Sequence, residues 1–563
     1  MGRYKKLQQR VDLKTIFTER IVTGLKRSAI TAPSKWATMY RQLSDGPWSF
    51  KSFPWLKEMH DSKAEKNVGQ KAAQMGFTET LLNLAFYTID ILGKDVMYVL
   101  PTKTPNASNF SSGRFDPALE LSAHLRNLFS DVDNVGHKRA GAANLYVVGS
   151  HSRADLKSTP ILKLFMDEVA EFVQENIPLA LERLSGQKAL ERQLWMISTP
   201  TVEGFGISKY YALTDKKIFV FKCPKCSRHI DLRFPECLKI EADGMFDPRL
   251  KDTHLICPEC KGKLDQETKE EWLADAYWVP TVASRDWSGF TISQMYSTRQ
   301  TPADIAETYF KAQTNPADEV ELFNSKLGLP HEAKGSRVTE TELNTAVMEG
   351  PKKHNNDHPV PGLITMGVDV GKWLHYEIVK WTLPNNGIVP IDINVAAKAQ
   401  VIHFGKCKDF DELDKLMSKY RVIHCVIDAN PEKRMALSFA RRFMGRVHLC
   451  YFGRGINGKS LHAPKDATNN EPIVVVDRSS WLDMALGRFH NKTISLPIDI
   501  NFEYREHMKA PAKHYKKDDD GNATAKYLTE QNAQDHYAFA RCYCEIALAF
   551  SSQNFSTQNI EDY

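Results

Sequence analysis

The sequence predicts an α/β protein with at least two domains. In the first half, apolar segments of strand length at 95–101 and 144–149 alternate with helical patterns. Such alternation is typical of a parallel sheet covered by helices on both faces. The chain has 563 residues, which is too long for a single hydrophobic core. A polar, proline-rich segment at 349–362 shows no periodicity and is the predicted linker between the domains.

The composition is that of an ordinary globular protein. Hydrophobic residues make up 42% of the chain and charged residues 25%, with a net charge of +5. This mild positive charge permits a nucleic-acid partner without requiring one. No apolar run approaches the roughly 20 residues that span a bilayer, and the basic N-terminus precedes no apolar signal segment. We therefore expect a cytoplasmic protein with no membrane partner.

An apolar segment at 161–166 ends in two adjacent acids, Asp167 and Glu168. This is the pattern of a buried parallel strand that delivers carboxylates to the C-terminal edge of a sheet. In a nucleotide-hydrolysing sheet, Asp167 would hold the Mg²⁺ of the nucleotide and Glu168 would polarise the attacking water. A buried strand that meets a polar turn is the alternative, and the upstream sequence favours the nucleotide site.

A glycine-bearing loop at 69–78 precedes an apolar helical pattern at 80–89. A loop that opens a helix in this way aims backbone N–H groups at phosphates, and Thr78 is placed to bind Mg²⁺. The loop departs from the standard pattern, because Phe77 occupies the position before Thr78 where lysine is usual. Lys71, at the other end of the loop, would have to reach back to the phosphates.

A second glycine-rich loop, at 453–460, matches the standard phosphate-loop spacing in full. A strand can precede it, but the proline-containing segment at 461–470 cannot form a phosphate-capping helix. The next strand, at 474–477, follows too soon for a crossover of about a dozen residues. We therefore interpret 453–460 as a flexible basic loop.

Two further features of the first domain have open interpretations. One ring of the aromatic cluster at 48–55 could stack on adenine, although aromatic residues that feed a core are commoner. The strand at 193–197 ends in Ser198 and Thr199, which are placed to sense the γ-phosphate and pass its loss to a neighbouring element. A generic turn explains the same residues.

Two Cys-x-x-Cys pairs, Cys223 with Cys226 and Cys257 with Cys260, follow in the sequence. Four thiolates in two such knuckles suit a closed tetrahedral Zn²⁺ site, and each knuckle carries a proline. The gap between the pairs exceeds the usual fifteen to twenty or so residues, so a longer hairpin is needed. We predict a structural zinc ribbon at about 219–278, with a redox pair as the alternative.

Three acids of the second domain occupy positions that suit metal binding. Asp369 lies inside an apolar strand, Asp428 ends another, and Asp535 starts an apolar helix. Each alone could be a turn or capping residue. Acids on two strands and at the start of a helix late in the domain match the ribonuclease-H-like arrangement. In that arrangement, carboxylates hold two divalent metal ions about 4 Å apart for attack on a phosphodiester. His536 could assist, but a solvated histidine at the helix start is the preferred interpretation.

Lysines in two loops of the second domain could contact a DNA backbone. They lie near 453–459 and at 515–524, where an Asp-Gly pair predicts a hairpin turn. A solvated loop explains both segments equally well.

Together these segments resemble the large terminase subunits of tailed bacteriophages, specifically the GpA-like branch that includes the enzyme of phage lambda. The likeness runs from about Gly46 to Ala549, nearly the whole chain. It rests on the order and spacing of several motifs. These are the displaced-lysine loop at 71–78, Leu100-Pro101-Thr102, Phe115-Asp116-Pro117, Gly149-Ser150, Asp155-Leu156-Lys157-Ser158, Met166-Asp167-Glu168, the segment 198–204, Cys223-Pro224-Lys225-Cys226, Asn324-Ser325-Lys326-Leu327-Gly328-Leu329-Pro330 and Gly367-Val368-Asp369-Val370.

The resemblance implies a motor that hydrolyses ATP to thread viral DNA into a procapsid, joined to an endonuclease that cuts the concatemer. It implies Mg²⁺ and ATP at the first site, Mg²⁺ or Mn²⁺ at the nuclease site, and Zn²⁺ in the ribbon. The implied partners are double-stranded DNA, the small terminase subunit and the portal of the procapsid, with a homo-oligomeric ring as the working form in the host cell cytoplasm.

The resemblance also assigns residues to the nucleotide and the nuclease metals. Glu168 would be the catalytic residue of the ATPase, and Ser198 with Thr199 would couple hydrolysis to movement. Gln74 stands where relatives often have arginine, and Arg153 or Lys157, acting in trans, is a substitute. The nucleotide contacts would be Lys71, Gly76, Phe77, Thr78 and Asp167, and the nuclease residues Asp369, Asp428 and Asp535.

The predicted organisation has five parts. They are a partner-docking segment at 1–45, a P-loop ATPase domain at 46–348 with the ribbon inserted, the linker at 349–362, a ribonuclease-H-like nuclease domain at 363–550 and a tail at 551–563. A surface helix is the alternative for 1–45, and its amphipathic pattern fits either interpretation. Two alternatives remain open. One is a helicase-like repair nuclease, and the other is a zinc-ribbon DNA-binding scaffold whose ATP site is inactive because of the misplaced lysine.

Overall fold

The computed structural model of the chain divides into two compact units, Met1–His331 and Glu332–Tyr563. It describes residues 30–129, 132–157, 159–333, 335–348, 362–384, 392–453, 460–464, 471–517, 523–530, 533–551 and 558–560. The predicted docking segment as far as residue 29, most of the linker, the basic loop at 454–459 and most of the tail lie outside these residues. No helix in the described part of the chain has the length and apolar character that a membrane span requires.

The first unit is built on an eight-stranded sheet in which six neighbouring strands are parallel. Two antiparallel strands extend one edge. The α/β class and the parallel sheet predicted from alternating strands and helices are confirmed. The strand order is Ser288–Ile292, Lys66–Lys71, Gln193–Ser198, Lys163–Asp167, Val96–Leu100, Ala143–Gly149, His137–Ala140 and Val132–Asn134.

Helices cover both faces of this sheet, so its central strands are buried on both sides. This explains why those strands are almost continuously apolar in sequence. The α-helices of the first unit are Pro33–Tyr40, Trp55–His60, Phe77–Tyr87, Ser108–Phe110, Asp116–Leu121, Ala123–Leu128, Ile177–Leu181, Ile207–Tyr211, Lys269–Trp272, Pro302–Ala312 and Pro316–Val320.

An insertion at 218–279, here called the cysteine insertion, separates the strand Gln193–Ser198 from the edge strand Ser288–Ile292. It contains two small three-stranded sheets, each with an antiparallel hairpin. The first sheet comprises His229–Ile230, Ile218–Lys222 and Tyr277–Val279, and the second Leu238–Lys239, His254–Ile256 and Lys263–Leu264.

The second unit is built on a nine-stranded mixed sheet. The strands Lys398–Cys407, Leu374–Thr382 and Leu363–Val370 form an antiparallel meander. On the other side of Leu363–Val370, the strands His424–Asp428 and Val447–Phe452 run parallel to it. The strand order is Ile494–Ser495, Lys398–Cys407, Leu374–Thr382, Leu363–Val370, His424–Asp428, Val447–Phe452, Ile473–Val476, His462–Pro464 and Gln558–Ile560. A separate hairpin joins Ala512–Lys517 to Ala523–Leu528.

The helix His536–Ala549 packs directly on the strand Leu363–Val370. A Cβ at Gly367 would lie 2.0 Å from the carbonyl oxygen of Ala540, so this close approach requires glycine. The remaining α-helices of this unit are Glu340–Met348, Ile393–Ala396, Phe410–Lys419, Lys433–Arg442, Arg478–His490 and Phe502–Lys509.

The described residues around the rejected loop at 453–460 contain no helix that opens on it. The strand Val447–Phe452 precedes the loop as predicted, and the strand His462–Pro464 follows it. Among the described residues that flank the loop, none supplies the helix N-terminus that a phosphate-binding loop uses.

Candidate active sites

The first candidate site is a cavity of about 460 Å³ beside the helix Phe77–Tyr87. The strands that carry Lys71, Ser198 and Asp167 are neighbours in the parallel sheet, so their carboxyl ends meet at one edge. Ligands of α/β sheets bind in this position. Lys71, Gln74, Gly76, Thr78, Glu168 and Thr199 are among the residues that line the cavity.

The predicted phosphate loop connects the strand Lys66–Lys71 to the helix Phe77–Tyr87. Gly76 has a φ of +81°, and a Cβ there would lie 2.7 Å from Leu56 Cδ1, so both conformation and space require glycine. The Phe77 ring is buried against Gly69. The side chain of Phe77 therefore belongs to the core, although the residue also borders the cavity.

Asp167 is buried behind Thr78. The Tyr98 hydroxyl donates to Asp167 Oδ2 at 2.8 Å, and the Thr78 side chain lies close enough to help lower the pKa of this carboxyl group. Oδ1 of Asp167 has no hydrogen-bond partner within the described residues. Burial, followed by the charge of Glu168, raises the pKa of Asp167, while Lys71 lowers it. A buried carboxylate with a free oxygen beside a threonine hydroxyl fits a Mg²⁺ ligand set.

Glu168 is held in a strained backbone conformation with its carboxylate facing the cavity. Its φ is +60°, a value that non-glycine residues rarely adopt. Lys71 Nζ lies 3.1 Å from Oε1. The Ser198 hydroxyl lies 3.2 Å from Oε2 and 2.8 Å from the Thr199 carbonyl oxygen, and its single proton is shared between these two acceptors. The structure thus brings together Lys71, Glu168 and Ser198 at one point.

Two arginines that sequence reasoning missed also line the cavity. Arg114 is exposed and donates to Glu79 at 2.8 Å, and the Arg299 guanidinium lies 5.2 Å from the centre of the Phe53 ring. Phe53 is the ring of the predicted aromatic cluster that reaches the cavity, whereas Trp48 and Trp55 are buried in the core. Arg114 adjoins the Phe115-Asp116-Pro117 motif, and this motif was the feature of the sequence that could have pointed to Arg114.

The Arg153 and Lys157 side chains, predicted to act in trans, are exposed and do not line this cavity.

Asn324 connects the end of the Ser198 strand to a segment further along the chain. Its buried side-chain amide donates to the carbonyl oxygens of Pro200 and Thr201, both at 2.6 Å. One residue on, the Ser325 carbonyl accepts from the Ala73 amide in the phosphate loop at 2.8 Å. The segment that sequence reasoning noted only as a family motif therefore contacts both the phosphate loop and the segment after Ser198.

The four cysteines of the two Cys-x-x-Cys pairs lie together, with their sulfur atoms all within 4.8 Å of one another. Each pair sits at the turn of one hairpin of the cysteine insertion. The two turns have the same hydrogen bonds, from Ser227 N to Cys223 O at 2.9 Å and from Lys261 N to Cys257 O at 3.0 Å. This repeated geometry and four clustered thiols fit a tetrahedral Zn²⁺ site.

The second candidate site lies at the end of two parallel strands of the second unit. Val368 pairs with Ile427, so the residues that follow them, Asp369 and Asp428, are neighbours. Burial raises the pKa of Asp369, and burial raises that of Asp428 to about 7, with the charge of Asp369 contributing. Two carboxyl groups that repel each other in a buried place are typical of a site that binds cations.

The helix His536–Ala549 brings its first turn to the same place. Asp535 precedes the helix and accepts from the Thr529 hydroxyl at 2.7 Å, and its charge contributes to the raised pKa of Asp369. Further along, Arg541 donates to the buried Glu377 at 2.7 Å. Breaking such a buried ion pair is costly, which fixes the helix and hence Asp535 against the sheet.

His536 departs from the solvated position expected of it. Its Nδ1 lies 2.8 Å from Asp369 Oδ2, and its ring stacks on that of His375, with centroids 4.5 Å apart. Donor atoms of Asp369, His375 and His536 all lie within 4.8 Å of one another, whereas Asp428 and Asp535 belong to no such group in the described part of the chain. Sequence reasoning missed His375, whose place opposite Asp369 follows from the antiparallel register.

Two family models match nearly the whole chain. The model described as "Phage terminase large subunit gpA, ATPase domain" matches residues 43–278. The model described as "Terminase large subunit gpA, endonuclease domain" matches residues 287–558. The chain belongs to the GpA family of phage terminase large subunits.

Membership confirms the resemblance and the function predicted from it. This terminase is a DNA-packaging enzyme with an ATPase domain and a metal-dependent endonuclease domain. The family's endonuclease model begins at residue 287, so it includes the strand Ser288–Ile292, which pairs with the phosphate-loop strand in the first unit of the terminase. The scaffold without enzymatic activity is therefore not the correct interpretation.

Solved structures of other terminases resemble this one at low sequence identity. The large terminase of bacteriophage HK97 is 10% identical, covering 92% of this chain and 99% of its own, with a TM-score of 0.47. The large terminase of a thermophilic bacteriophage is 11% identical, covering 88% and 98%, with a TM-score of 0.30. The ATPase domain of the Thermus phage P74-26 large terminase is 11% identical, covering 51% and 99%, with a TM-score of 0.31. No curated protein sequence matches the terminase.

Proposed function

We propose that the cavity of the first unit binds ATP with Mg²⁺, and that Lys71, Gly76, Thr78, Asp167 and Glu168 perform the hydrolysis. The convergence of Lys71, Ser198 and Glu168 at one edge of the sheet carries this proposal. Thr78 and Asp167 would hold Mg²⁺, because they are in contact and Asp167 has an oxygen without a partner within the described residues. The ion would neutralise charge on the phosphates when bound.

Glu168 acts as the general base on the attacking water. Its carboxylate is held between Lys71 and Ser198. When phosphates occupy the cavity, their greater negative charge attracts the Lys71 ammonium group away from Glu168. Oε1 of Glu168 is then free to accept a proton from water, while Ser198 continues to orient the carboxylate through Oε2.

Arg114 and Arg299 supply the positive charge that the phosphate loop lacks at Gln74. Both line the cavity from the same chain, and Gln74 lies in the same wall. Arginine is well suited to bind phosphate oxygens because its guanidinium group offers several parallel donors. Phe53 lines the same cavity, and its exposure there supports its ring as the surface on which the base stacks.

Ser198 and Thr199 couple hydrolysis to movement through Asn324. Ser198 bonds to the catalytic Glu168, and the carbonyl groups two and three residues further on are bound by Asn324. His331, the last residue of the first unit, donates its backbone N–H to Thr201 O at 2.9 Å. A shift at Ser198 on loss of the γ-phosphate therefore reaches the point where the chain leaves the unit.

Cys223, Cys226, Cys257 and Cys260 bind a structural Zn²⁺ that makes the cysteine insertion a zinc ribbon. The four clustered sulfur atoms and the two equivalent turns support this assignment. A closed site with four thiolates has no open position for a reactant, so the metal would stabilise the insertion and take no part in catalysis.

Asp369, Asp428 and Asp535 bind divalent metal ions, Mg²⁺ or Mn²⁺, in a ribonuclease-H-like endonuclease. The paired strand ends support this role, as do the pKa values of Asp369 and Asp428, both of which burial raises. The ions would activate water and stabilise charge on the phosphodiester when bound. The terminase would act on double-stranded DNA as a homo-oligomeric ring at the portal of a procapsid, with a small terminase subunit as its partner, in the host cell cytoplasm.

Binding of ATP to the full chain tests the first site. We expect Thr78→Ala to weaken ATP binding in Mg²⁺ much more than in EDTA, because Thr78 would contribute an oxygen ligand to the ion. Thr88→Ala is the matched control, since Thr88 is a buried residue that follows the same helix and bonds to Leu84 O. Equal loss with and without Mg²⁺ would contradict the assignment of Thr78.

A further inference from the structure

We propose that His375 and His536 join Asp369 in a nitrogen-containing metal position, which makes the endonuclease centre favour Mn²⁺ over Mg²⁺. The proposal rests on the proposed nuclease site and deepens it. The carboxylates of that site are the ligands expected of any two-metal nuclease. The two imidazoles are additional donors, and they change which metal the centre prefers.

The fold holds these three residues together from three elements. Asp369 and His375 are directly opposite each other on antiparallel strands, so their side chains project from the same face of the sheet. His536 begins the helix that packs on the strand of Asp369, Leu363–Val370. One donor atom from each residue lies within 4.8 Å of the other two, so an ion that drew the side chains inward slightly would reach all three.

His375 is the observation that calls for a ligand. Its side chain is 4% exposed, and neither ring nitrogen has a hydrogen-bond partner in the described part of the chain. Leaving a buried polar group without a partner destabilises the folded protein, and a bound ion would supply the missing partner. Glu503 Oε1 lies 3.7 Å from His375 Nε2, too far for a hydrogen bond, and Lys406 donates to Glu503 at 2.7 and 2.9 Å.

The contact between His536 and Asp369 is compatible with metal binding. Nδ1 of His536 lies 2.8 Å from Oδ2 of Asp369, so this nitrogen and this oxygen already face each other. An ion between them would displace the shared proton and take both atoms as donors. The hydrogen bond thus holds the two side chains where the ion would need them.

The donor set determines the kind of metal. Mg²⁺ is bound by oxygen ligands and keeps much of its water, whereas imidazole suits transition metals. Two histidines and one carboxylate therefore favour Mn²⁺ over Mg²⁺ at this position. The four clustered cysteines do not compete for Mn²⁺, because thiolates prefer softer ions.

Pulsed electron paramagnetic resonance on the full chain tests the proposal directly. The zinc-loaded, nucleotide-free protein is given one equivalent of Mn²⁺, and the spectrum is examined for modulation by imidazole nitrogen. No histidine lines the cavity of the first unit within the described residues, so such a signal would not come from the ATP site. We expect imidazole modulation in the wild type.

Substitution then assigns the signal. We expect His375→Gln to weaken Mn²⁺ binding by about tenfold or more, with reduced nitrogen modulation and little change in Mg²⁺ affinity measured by calorimetry. His403→Gln is the matched control, because His403 is a buried histidine of the adjacent strand that bonds to Tyr376. The control should keep both the signal and the affinity.

The outcomes separate this inference from the proposed nuclease. If the wild type binds Mn²⁺ and cuts DNA but shows no imidazole modulation, the metal position is all-oxygen and the inference is overturned. Wild-type Mn²⁺ affinity in His375→Gln would overturn it as well. If the wild type neither binds Mn²⁺ nor cuts DNA in any divalent metal, the proposed nuclease centre itself fails.

Discussion

Lys71 Nζ lies 3.1 Å from Glu168 Oε1, so the cation before the phosphate loop forms an ion pair with the acid that follows the strand Lys163–Asp167, two strands away in the sheet. Lys71 is at the strand end before the loop, not at the usual position next to Thr78. This location is what lets the ammonium group face Glu168. The pair holds the proposed general base in place until phosphates compete for the lysine.

Replacing Glu168 with glutamine tests the general base. We expect Glu168→Gln to bind ATP and to lower the turnover number by about 10²- to 10⁴-fold, because the amide cannot accept the proton of the attacking water. Steady-state phosphate release and nucleotide binding measure the two effects. Glu171→Gln, an exposed acid three residues on, should hydrolyse ATP at the wild-type rate. Normal turnover in Glu168→Gln would rule out this role.

The parts of the ATP site that could be predicted from sequence were those with a local pattern. The strand ending in Asp167 and Glu168 and the loop before Thr78 combine apolar periodicity with fixed spacing. Arg114, Arg299 and Asn324 reach the site through tertiary packing from distant segments. No periodicity records such a contact, so sequence reasoning identified Asn324 only as part of a family motif, and the contacts of all three residues were found only in the structure.

A single substitution tests the zinc site proposed for the cysteine insertion. We expect the wild type to contain about one zinc ion per chain and Cys257→Ser to contain none after dialysis, with a lower melting temperature, because three thiolates do not complete the tetrahedral site. Metal analysis and thermal unfolding measure both changes. Cys237→Ser is the control, since Cys237 is buried in the insertion but outside the cluster. Zinc retained in Cys257→Ser would exclude this site.

Asn324 should affect both stability and turnover. Asn324→Leu leaves the carbonyl group of Pro200 without its donor, so we expect the free energy of unfolding to fall by about 1–3 kcal/mol. ATP turnover should fall as well, because this segment follows Ser198. Asn315→Ala removes a helix cap in the same unit and should cost about 0.5–2 kcal/mol without lowering turnover. Equal turnover in the two variants would contradict coupling through Asn324.

Metal binding at the endonuclease centre should depend on pH. The raised pKa of Asp428, about 7, means that the metal-free protein keeps a proton on this group in weakly acidic solution. The ion must displace that proton, so the apparent affinity for Mn²⁺ should rise as pH increases through about 7 and then level off. His536, whose pKa is raised by its bond to Asp369, acts in the same direction. Calorimetric affinities that stay constant from about pH 6 to about pH 8 would disagree.

The endonuclease centre was predicted from sequence less completely than the ATP site. Asp369, Asp428 and Asp535 each stand at the end of an apolar element or inside one, which is a readable signal. The position of His375 depends on the register of two antiparallel strands, and that of His536 on how its helix docks. Register and docking are set by packing between segments, so a pattern within one segment does not reveal them.

Cleavage and ATP hydrolysis measured on the same preparations test most directly whether this terminase carries two separate active sites. We expect Asp369→Ala to lose plasmid cleavage while ATP hydrolysis persists, and Glu168→Ala to lose ATP hydrolysis while cleavage persists. Plasmid cleavage that survives in Asp369→Ala, or ATP turnover that survives in Glu168→Ala, would contradict the account.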